Sequence, residues 1–559
     1  MKCLIIVVRF QRLLIGDPEA DKANFDYTLP IGLGYISAVL KQNNHQVNVL
    51  NLNHIDGSVD TLIEKEFQNN YDFVITGGLS PFYPHIKSVV ESVRRHAPET
   101  KIILGGGLIS SQPEIMFKML EPDFGIVGEG EETIIELLDC IKSNNDLNGV
   151  NGIIYREPER ALKVTNPRQP IKNLDLIPFP DYDGLGLAEF LDHMRPSDNV
   201  TFDVFDNPRA YPIIASRSCP FTCTFCYHPL GDKYRRRSVE NIMEEVKYAV
   251  KRYRVNIFNF YDELFAQNRE RLSELCRNIK KFASTIPWEI KWGCSMRVDY
   301  LDDDTVKEMK DAGCYFISLG LESYSIPVLE SMKKRITPNQ IDNALHVCKH
   351  EGVTFTGNFI FGDIAETKET YQETLDYWKS HPEFGSSIGL MHIVLYPGSY
   401  IYKNAVKKGI IKDEMQFIED RAKQDWPVPI NFTDAMTDKE YQQMTADIIE
   451  AAAIPVYYAN PLVNIQTKDR HEIHVRCPIC KEIVVYKNYH LPKNFGSKIV
   501  ACRNCRSRFV IPSNRLRLKI FIVKLFGYRV PYRIGKYIYD LSEHLPPYMK
   551  IKIKKILAV

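Results

Sequence analysis

The stretch Arg217-Ser218-Cys219-Pro220-Phe221-Thr222-Cys223-Thr224-Phe225-Cys226-Tyr227-His228 carries three thiols at spacings of four and three residues. Thiolates spaced in this way can hold three corners of a cubane iron–sulfur cluster from one short loop, since thiolates are the ligands such clusters take. No fourth cysteine lies close by, so one iron would remain open to a small ligand. The alternative is a zinc loop that takes its fourth ligand from elsewhere, such as His228.

A second constellation lies near the end of the chain. Cys477-Pro478-Ile479-Cys480 and Cys502-Arg503-Asn504-Cys505 form two C-x2-C knuckles with 21 residues between them. Four thiolates in such pairs suit tetrahedral zinc, or iron in a rubredoxin-like site. They close the metal's shell, which favours a structural role over catalysis. About 40 residues cannot build an adequate core alone, and metal binding worth on the order of 10–16 kcal/mol would supply the folding energy. The remaining cysteines (Cys3, Cys140, Cys276, Cys294, Cys314, Cys348) fall in apolar strand and helix patterns and read as small core residues. With no leader-like N-terminus, the clustering favours metal ligation in a reducing cytoplasm over disulfides.

The elements that must position these cysteines follow from the hydrophobic periodicity. Over the first 145 residues, short apolar runs at 3–8, 46–52, 72–76, 101–104 and 123–127 alternate with helical patterns at 31–43, 58–69, 84–96, 113–120 and 131–142. This is an α/β repeat, which predicts a doubly wound, Rossmann-like parallel sheet with ligand space beyond the strand C-termini. Glycine-rich turns follow three successive strands: Gly77-Gly78-Leu79-Ser80, Gly105-Gly106-Gly107 and Gly128-Glu129-Gly130. Glycines there let a flat ligand approach the backbone, although each turn alone is also what a tight βα connection requires.

Residues 151–212 hold eight prolines and little periodicity, a linker with one small hairpin. A second βα series follows. Its strands are expected at 213–217, 256–260, 289–293, 315–319, 354–361 and 387–394, and its helices at 239–253, 269–283, 302–311, 339–350 and 368–379. Six units are too few for a closed eight-fold barrel, so a partial (βα)6, TIM-like barrel is expected, with the cysteine loop at the C-terminal end of its first strand, where active sites sit. The boundaries are therefore 1–148 for the first domain, 149–210 for the linker and 211–400 for the barrel. A helical extension at 401–468, a four-cysteine module at 469–512 and a basic tail at 513–559 complete the chain.

Along 211–400 the chain resembles the radical S-adenosylmethionine (SAM) superfamily, motif by motif behind the three-cysteine loop. Phe225 belongs to that loop. Asp262 and Glu263 end the second strand, where relatives meet the SAM amino group. Arg297 follows the third strand and Glu322, in Gly320-Leu321-Glu322-Ser323, ends the fourth. Gly357 to Gly362, with Glu366-Thr367, matches the fifth-strand segment along the adenine, and Tyr396-Pro397-Gly398-Ser399 matches the turn after the sixth. The resemblance implies a 4Fe–4S cluster on Cys219, Cys223 and Cys226, with SAM bound to the open iron and split to a 5′-deoxyadenosyl radical. Phe225, Asp262, Glu263, Arg297, Glu322 and Gly362 are the expected SAM contacts.

The order of βα domain, proline-rich linker and barrel is similar to that of the cobalamin (B12)-binding members. It implies a corrin beside Gly77, Gly78, Leu79, Ser80, Gly105, Gly106, Gly107, Gly128 and Glu129. Members with a histidine ligand carry Asp-x-His-x-x-Gly after the first strand. Residues 9–30 contain no histidine, and His54 in Leu52-Asn53-His54-Ile55-Asp56-Gly57 reads as a loop residue after the second strand. The four-cysteine module looks like a zinc ribbon, although Lys481 and Arg506 stand where a glycine commonly follows each knuckle.

Composition adds the last constraint. The net charge is +1, yet residues 515–559 hold eleven Lys/Arg against two acids. Basic residues among bulky apolar ones, as in Lys519 to Phe526, suit a solvated packed helix, an anionic membrane surface or nucleic acid. No apolar run reaches the roughly 18 residues that span a bilayer.

The leading expectation is a cytoplasmic, cobalamin-dependent radical SAM methyltransferase, peripheral at the membrane through its tail. It would act on a small molecule or lipid and be reduced by a flavodoxin or ferredoxin. A second reading is a radical cyclase, carbon–carbon coupling enzyme or oxidoreductase without methyl transfer, on a lipid or isoprenoid. A third is a nucleic-acid-binding or RNA-modifying protein, for which no established RNA-binding motif is present.

Overall fold

The computed structural model describes residues 1–10, 21–158, 161–422, 429–468, 470–490 and 497–526. Strands β1 (Lys2–Val7), β2 (Gln46–Asn51), β3 (Phe73–Gly77), β4 (Lys101–Gly105) and β5 (Phe124–Ile126) run parallel. The antiparallel pair β6 (Ile153–Arg156) and β7 (Leu162–Val164) extends this sheet, giving the order β2-β1-β3-β4-β5-β6-β7. Strand β1 is apolar on both faces and Cys3 to Ile6 are wholly buried, because helices cover both sides of a parallel sheet. The strand order reverses direction at β1, and open α/β sheets bind ligands beyond the strand C-termini at such a point.

The small hairpin expected in the linker thus belongs to the first sheet, which ends at Val164 rather than at 148. The rest of the linker is no spacer. Tyr182 and Leu185 are buried and join the first domain and the barrel in one continuous core. The Tyr182 hydroxyl donates to the Pro212 carbonyl at 3.1 Å, and its ring meets that of Tyr211 edge-on at 4.9 Å. A short helix, Leu187–His193, follows where no periodicity signalled one.

The second sheet is an open, parallel half-barrel. Its strands are β8 (Ala210–Ile213), β11 (Ile257–Phe260), β12 (Lys291–Met296), β13 (Cys314–Glu322), β14 (Thr354–Phe361) and β15 (Ile388–His392), hydrogen-bonded in that order. Between β8 and β11 lie β9 (Ser216–Arg217) and β10 (Arg235–Arg236), a two-stranded antiparallel ribbon at the foot of the cysteine loop. The first barrel strand ends at Ile213 because the buried Asp262 carboxylate accepts from the Ala215 N–H (3.2 Å) and the Ser216 hydroxyl (2.5 Å), diverting the chain from the ladder.

Helices Val239–Tyr253, Arg269–Ala283 and Pro338–Glu351 start at Ser238, Asn268 and Thr337, each of which caps the first free N–H groups. Three further helices (Tyr400–Lys407, Glu414–Ala422, Asp438–Ala452) form the extension. It ends earlier than 468, since β16 (Pro461–Thr467) pairs with β17 (Arg470–Arg476), and β17 with β18 (Ile483–Tyr489). With the hairpin β19 (Lys498–Ala501) and β20 (Arg508–Ile511), these strands form the four-cysteine module around a core that includes Ile473, Val475, Tyr486 and Phe509. Residues 527–559 of the basic tail lie outside the described residues.

Candidate functional site

Alternation along the barrel strands separates a packed face from an open one. On β14, Phe355, Gly357, Phe359 and Phe361 are buried, whereas Thr356, Asn358 and Ile360 remain partly or fully exposed. In register with them are Ser318 and Gly320 on β13, and Gly389 and Met391 on β15. A Cβ on Gly389 would come within 2.5 Å of Asn358 Oδ1. The interior is therefore lined by Thr356, Asn358, Ser318, Gly320 and Gly389, with Ile360 and Met391 the larger side chains, and is not filled by the bulky layers of a closed barrel. It has room for a ligand.

The cysteine loop closes one end of this space. Ser218, with φ +68°, turns the chain out of β9, and its hydroxyl donates to the Leu230 carbonyl at 2.9 Å. Thr224 N–H donates to Met332 O at 3.0 Å, and Ile401 N–H to Thr224 O at 3.1 Å, which pins the loop to both sides of the barrel mouth. Cys223 is buried, and Cys219 and Cys226 are half-buried.

Facing them is a turn that no motif announced, Lys333-Lys334-Arg335. Lys333 and Arg335 there, like Glu322 below them, have positive φ (52°, 55° and 63°), a strained arrangement typical of functional sites. Lys334 Nζ pairs with Glu322 Oε1 at 2.7 Å and lies 6.0 Å from the Phe225 ring centre. The Arg297 guanidinium stacks 3.7 Å from the Phe221 ring and donates to Asp299 (2.9 and 3.1 Å) and to the Lys334 and Arg335 carbonyls (3.0 and 3.2 Å). The hydrogen bond from Cys226 pulls the Cys223 thiol down to about 6, and the Lys334 and Arg297 charges help against burial. Donating to that thiolate raises Cys226. A thiolate held beside two fixed cations is the donor an iron–sulfur cluster needs, so the residues present fit the group.

The expected SAM contacts fall into two sets. Phe225, Arg297 and Glu322 gather around the cysteines. Asp262 is spent on the backbone turn described above, and burial pushes its carboxyl up to about 7. Glu263 accepts from His228 Nδ1 at 3.1 Å and raises that imidazole, whose buried Nε2 meets no hydrogen-bond partner among the described residues. Gly362, with φ +95°, sits where a Cβ would strike Tyr441 Oη at 2.8 Å.

The glycine turns of the first domain face the same loop. Some of these glycines answer to each other: a Cβ on Gly77 would meet Gly105 O at 2.3 Å, and one on Gly106 would meet Gly78 O at 2.8 Å. A Cβ on Gly107 would meet the Leu79 side chain at 2.8 Å, whereas Gly128 opens onto free space, with no atom within 4 Å of a Cβ there, and Leu79 is more than half exposed. Tyr227, next to Cys226, reaches across to these turns. Its ring would meet a Cβ on Gly398 at 2.6 Å on the barrel side and one on Gly107 at 4.0 Å on the sheet side. Glycine backbone and the exposed Leu79, set beside the cysteine loop, fit a corrin.

Glu129 is the exception among the expected corrin contacts. Its carboxylate accepts from Arg217 Nη1 (2.8 Å), Arg235 Nη1 (2.8 Å to each oxygen) and Ile171 N–H (2.7 Å), and Glu131 takes the other Arg217 nitrogen at 2.5 Å. Arg217 and Arg235 are paired across the ribbon, so one carboxylate of the first domain straps both feet of the cysteine loop. Burial would raise Glu129, but the arginines hold it below its usual value. His54 is equally engaged: its Nε2 lies 2.7 Å from Tyr27 Oη and its Nδ1 3.3 Å from Glu189.

At the opposite end of the barrel, the four module cysteines bring their sulfurs within 4.8 Å of one another, with 3.8 Å between Cys477 and Cys505 and 3.7 Å between Cys480 and Cys502. Bonds of about 2.3 Å at tetrahedral angles put sulfurs about 3.8 Å apart, so the set fits one zinc ion. Lys481 and Arg506 adopt φ of 68° and 61°, the left-handed turn that a glycine commonly makes after such knuckles. The module rests on the linker, where Asp203 accepts from Ala501 N–H (2.7 Å) and Asp206 pairs with Arg503 (2.8 Å). It touches the barrel where β14 begins, Thr354 Oγ1 donating to Arg506 O at 3.1 Å, far from the cysteine loop.

Known proteins share this layout. The family model of the radical SAM superfamily matches residues 213–377, and that of the B12 binding domain matches residues 22–138. An uncharacterized methyltransferase of Pyrococcus horikoshii is 30% identical over 68% of this chain and 79% of its own length. The cytidylyl-2-hydroxyethylphosphonate methyltransferase of Streptomyces wedmorensis is 24% identical over 73% and 84%. The radical SAM methyltransferase TsrM of Kitasatospora setae, solved with cobalamin and a 4Fe–4S cluster, superposes with a TM-score of 0.57 at 16% identity, covering 73% of this chain and 74% of that one.

Proposed function

This chain belongs to the radical SAM superfamily, in its B12-binding form, and on that premise we propose that it is a cobalamin-dependent methyltransferase acting on a small molecule or lipid. The observation that carries the reading is the meeting of the cysteine loop with the open glycine surface, held by Tyr227 and by the Arg217–Glu129–Arg235 strap.

Cys219, Cys223 and Cys226 are the cluster ligands, and the Lys334 and Arg297 charges favour the thiolate of Cys223. Glu322 and Lys334 offer an acceptor and a donor to the amino and carboxylate ends of SAM, and Phe225 covers them. The Leu79, Gly107 and Gly128 surface would hold the corrin. Ser318, Asn358 and Met391 line the substrate side of the interior. Bound together, these groups would supply a 5′-deoxyadenosyl radical that takes a substrate hydrogen and a methyl carrier that delivers its methyl to the carbon left behind. The protein's own part is to align them and to exclude water.

Reduction comes from an external one-electron donor such as a flavodoxin or ferredoxin. The four-cysteine module holds structural zinc and covers the bottom of the barrel. Anaerobic protein supplied with cobalamin and methyl-labelled SAM should form S-adenosylhomocysteine as well as 5′-deoxyadenosine. Formation of 5′-deoxyadenosine alone, with no corrin retained, would leave a radical enzyme without methyl transfer.

A further inference from the structure

The last described helix, Asn514–Phe526, takes no part in the site above and contains no acidic residue. Leu518, Phe521 and Leu525 are 59%, 61% and 59% exposed on it. At about 100° per residue these three, with Ile522, fall within about a 100° sector of the helix. Buried Ile520 and half-buried Leu516 and Val523 occupy the opposite sector, which packs on the protein. Between the two sectors stand the cations, Arg517 and Lys524 on one flank of the apolar ridge, Arg515 and Lys519 on the other. Lys524 Nζ also donates to Tyr458 Oη at 3.0 Å, which ties the helix to the four-cysteine module.

A solvated helix turns polar residues outward, and one that packs only on its own protein buries its large apolar residues. This helix does neither. We propose that the ridge seats the enzyme on an anionic lipid bilayer, with Leu518, Phe521 and Leu525 entering the boundary between head groups and acyl chains and the flanking Arg and Lys side chains meeting lipid phosphates. Charge selects this occupant. A second copy docking ridge to ridge would bring like-charged flanks together, and nucleic acid would meet the positive charge but leave the ridge in water. From residue 515 onward, eleven cations and two acids continue the same complementarity. Among the described residues no helix is long and apolar enough to cross a membrane. Seating on a bilayer is independent of the reaction catalysed.

The full chain is sedimented with phosphatidylcholine vesicles, with and without phosphatidylglycerol. It should partition onto the anionic vesicles. Raising salt from about 0.1 to 1 M, which shortens the screening length from about 10 to 3 Å, should weaken that binding severalfold. Phe521→Glu should lower the partition at least about tenfold, the scale expected for one buried aromatic side chain. Phe521 is exposed, so its melting temperature and its 5′-deoxyadenosine formation without lipid should not change; Leu518→Glu should behave alike. Equal binding of F521E and the parent chain, no preference for anionic vesicles, or a solution dimer that F521E dissolves would each overturn the proposal. So would tight RNA binding that F521E leaves intact while vesicles fail to bind.

Discussion

Replacing Glu129 by Gln removes the one carboxylate that straps both feet of the cysteine loop. The substitution keeps the shape but leaves Arg217 and Arg235 facing a neutral amide, with all three side chains less than a tenth exposed. Breaking a buried pair from one side costs about 3–5 kcal/mol when the other charge is stranded. Here Arg217 keeps Glu131, and Arg235 keeps the Ile171 carbonyl at 2.8 Å. The cost should therefore fall to about 2–3 kcal/mol, or about 5–10 °C in melting temperature for the affected unit. Glu131→Gln removes a single contact and should cost about half as much.

The pH dependence has a fixed sign. Glu129 is held below its ordinary value in the fold, so its stabilisation is present above the usual glutamate pKa of about 4.3 and is lost as pH falls through the lower folded value. Thermal unfolding of the cofactor-free protein from pH 7 to about 2, with amide exchange in residues 216–236, reads both effects. The parent and E129Q curves should converge at the acid end. If E129Q melts no earlier than E131Q, or if the gap between E129Q and the parent widens at low pH, the strap does not carry what is assigned to it.

Lys334→Gln should raise the Cys223 thiol above its value of about 6, read as an upward shift in the pH midpoint of alkylation of the cluster-free protein. Gly398→Ala puts a Cβ 2.6 Å from the Tyr227 ring at φ +91°, and should cost more than about 1 kcal/mol by displacing that ring or straining the turn; chemical denaturation checks it. Strong chelation of the cluster-free protein should release one zinc per chain and expose residues 461–511 to exchange while the barrel strands stay protected, because metal binding supplies the module's folding energy. Retention of protection in that module after metal loss would make its own core sufficient.

Much of the fold was legible because its signals are local. Helices Pro113–Leu120, Glu131–Lys142, Val239–Tyr253 and Arg269–Ala283 and strand β14 have the bounds their periodicity predicts, set by features such as Pro113, Ser238 and Asn268. What escaped notice depends on pairings across the chain. Glu129 read as a corrin contact from its place in a glycine turn, yet its partner Arg217 stands 88 residues away. Lys334 sits among three consecutive cations that any solvated turn would show, and only the positive φ angles on either side of it bring it to Glu322. Strands β6 and β7 looked like an isolated hairpin because the edge they extend, β5, is only three residues long.

The central claim is that Cys219, Cys223 and Cys226 hold a cluster that splits SAM. Anaerobic reconstitution with iron and sulfide, followed by Mössbauer spectra, zinc analysis and 5′-deoxyadenosine assay, tests it most directly. The parent chain should carry one 4Fe–4S cluster beside the zinc and form 5′-deoxyadenosine on reduction. Replacement of any one of the three cysteines by Ala should abolish both while leaving the zinc in place. A parent chain that binds only zinc at those three thiols, or a Cys226→Ala variant that still cleaves SAM, would contradict the account.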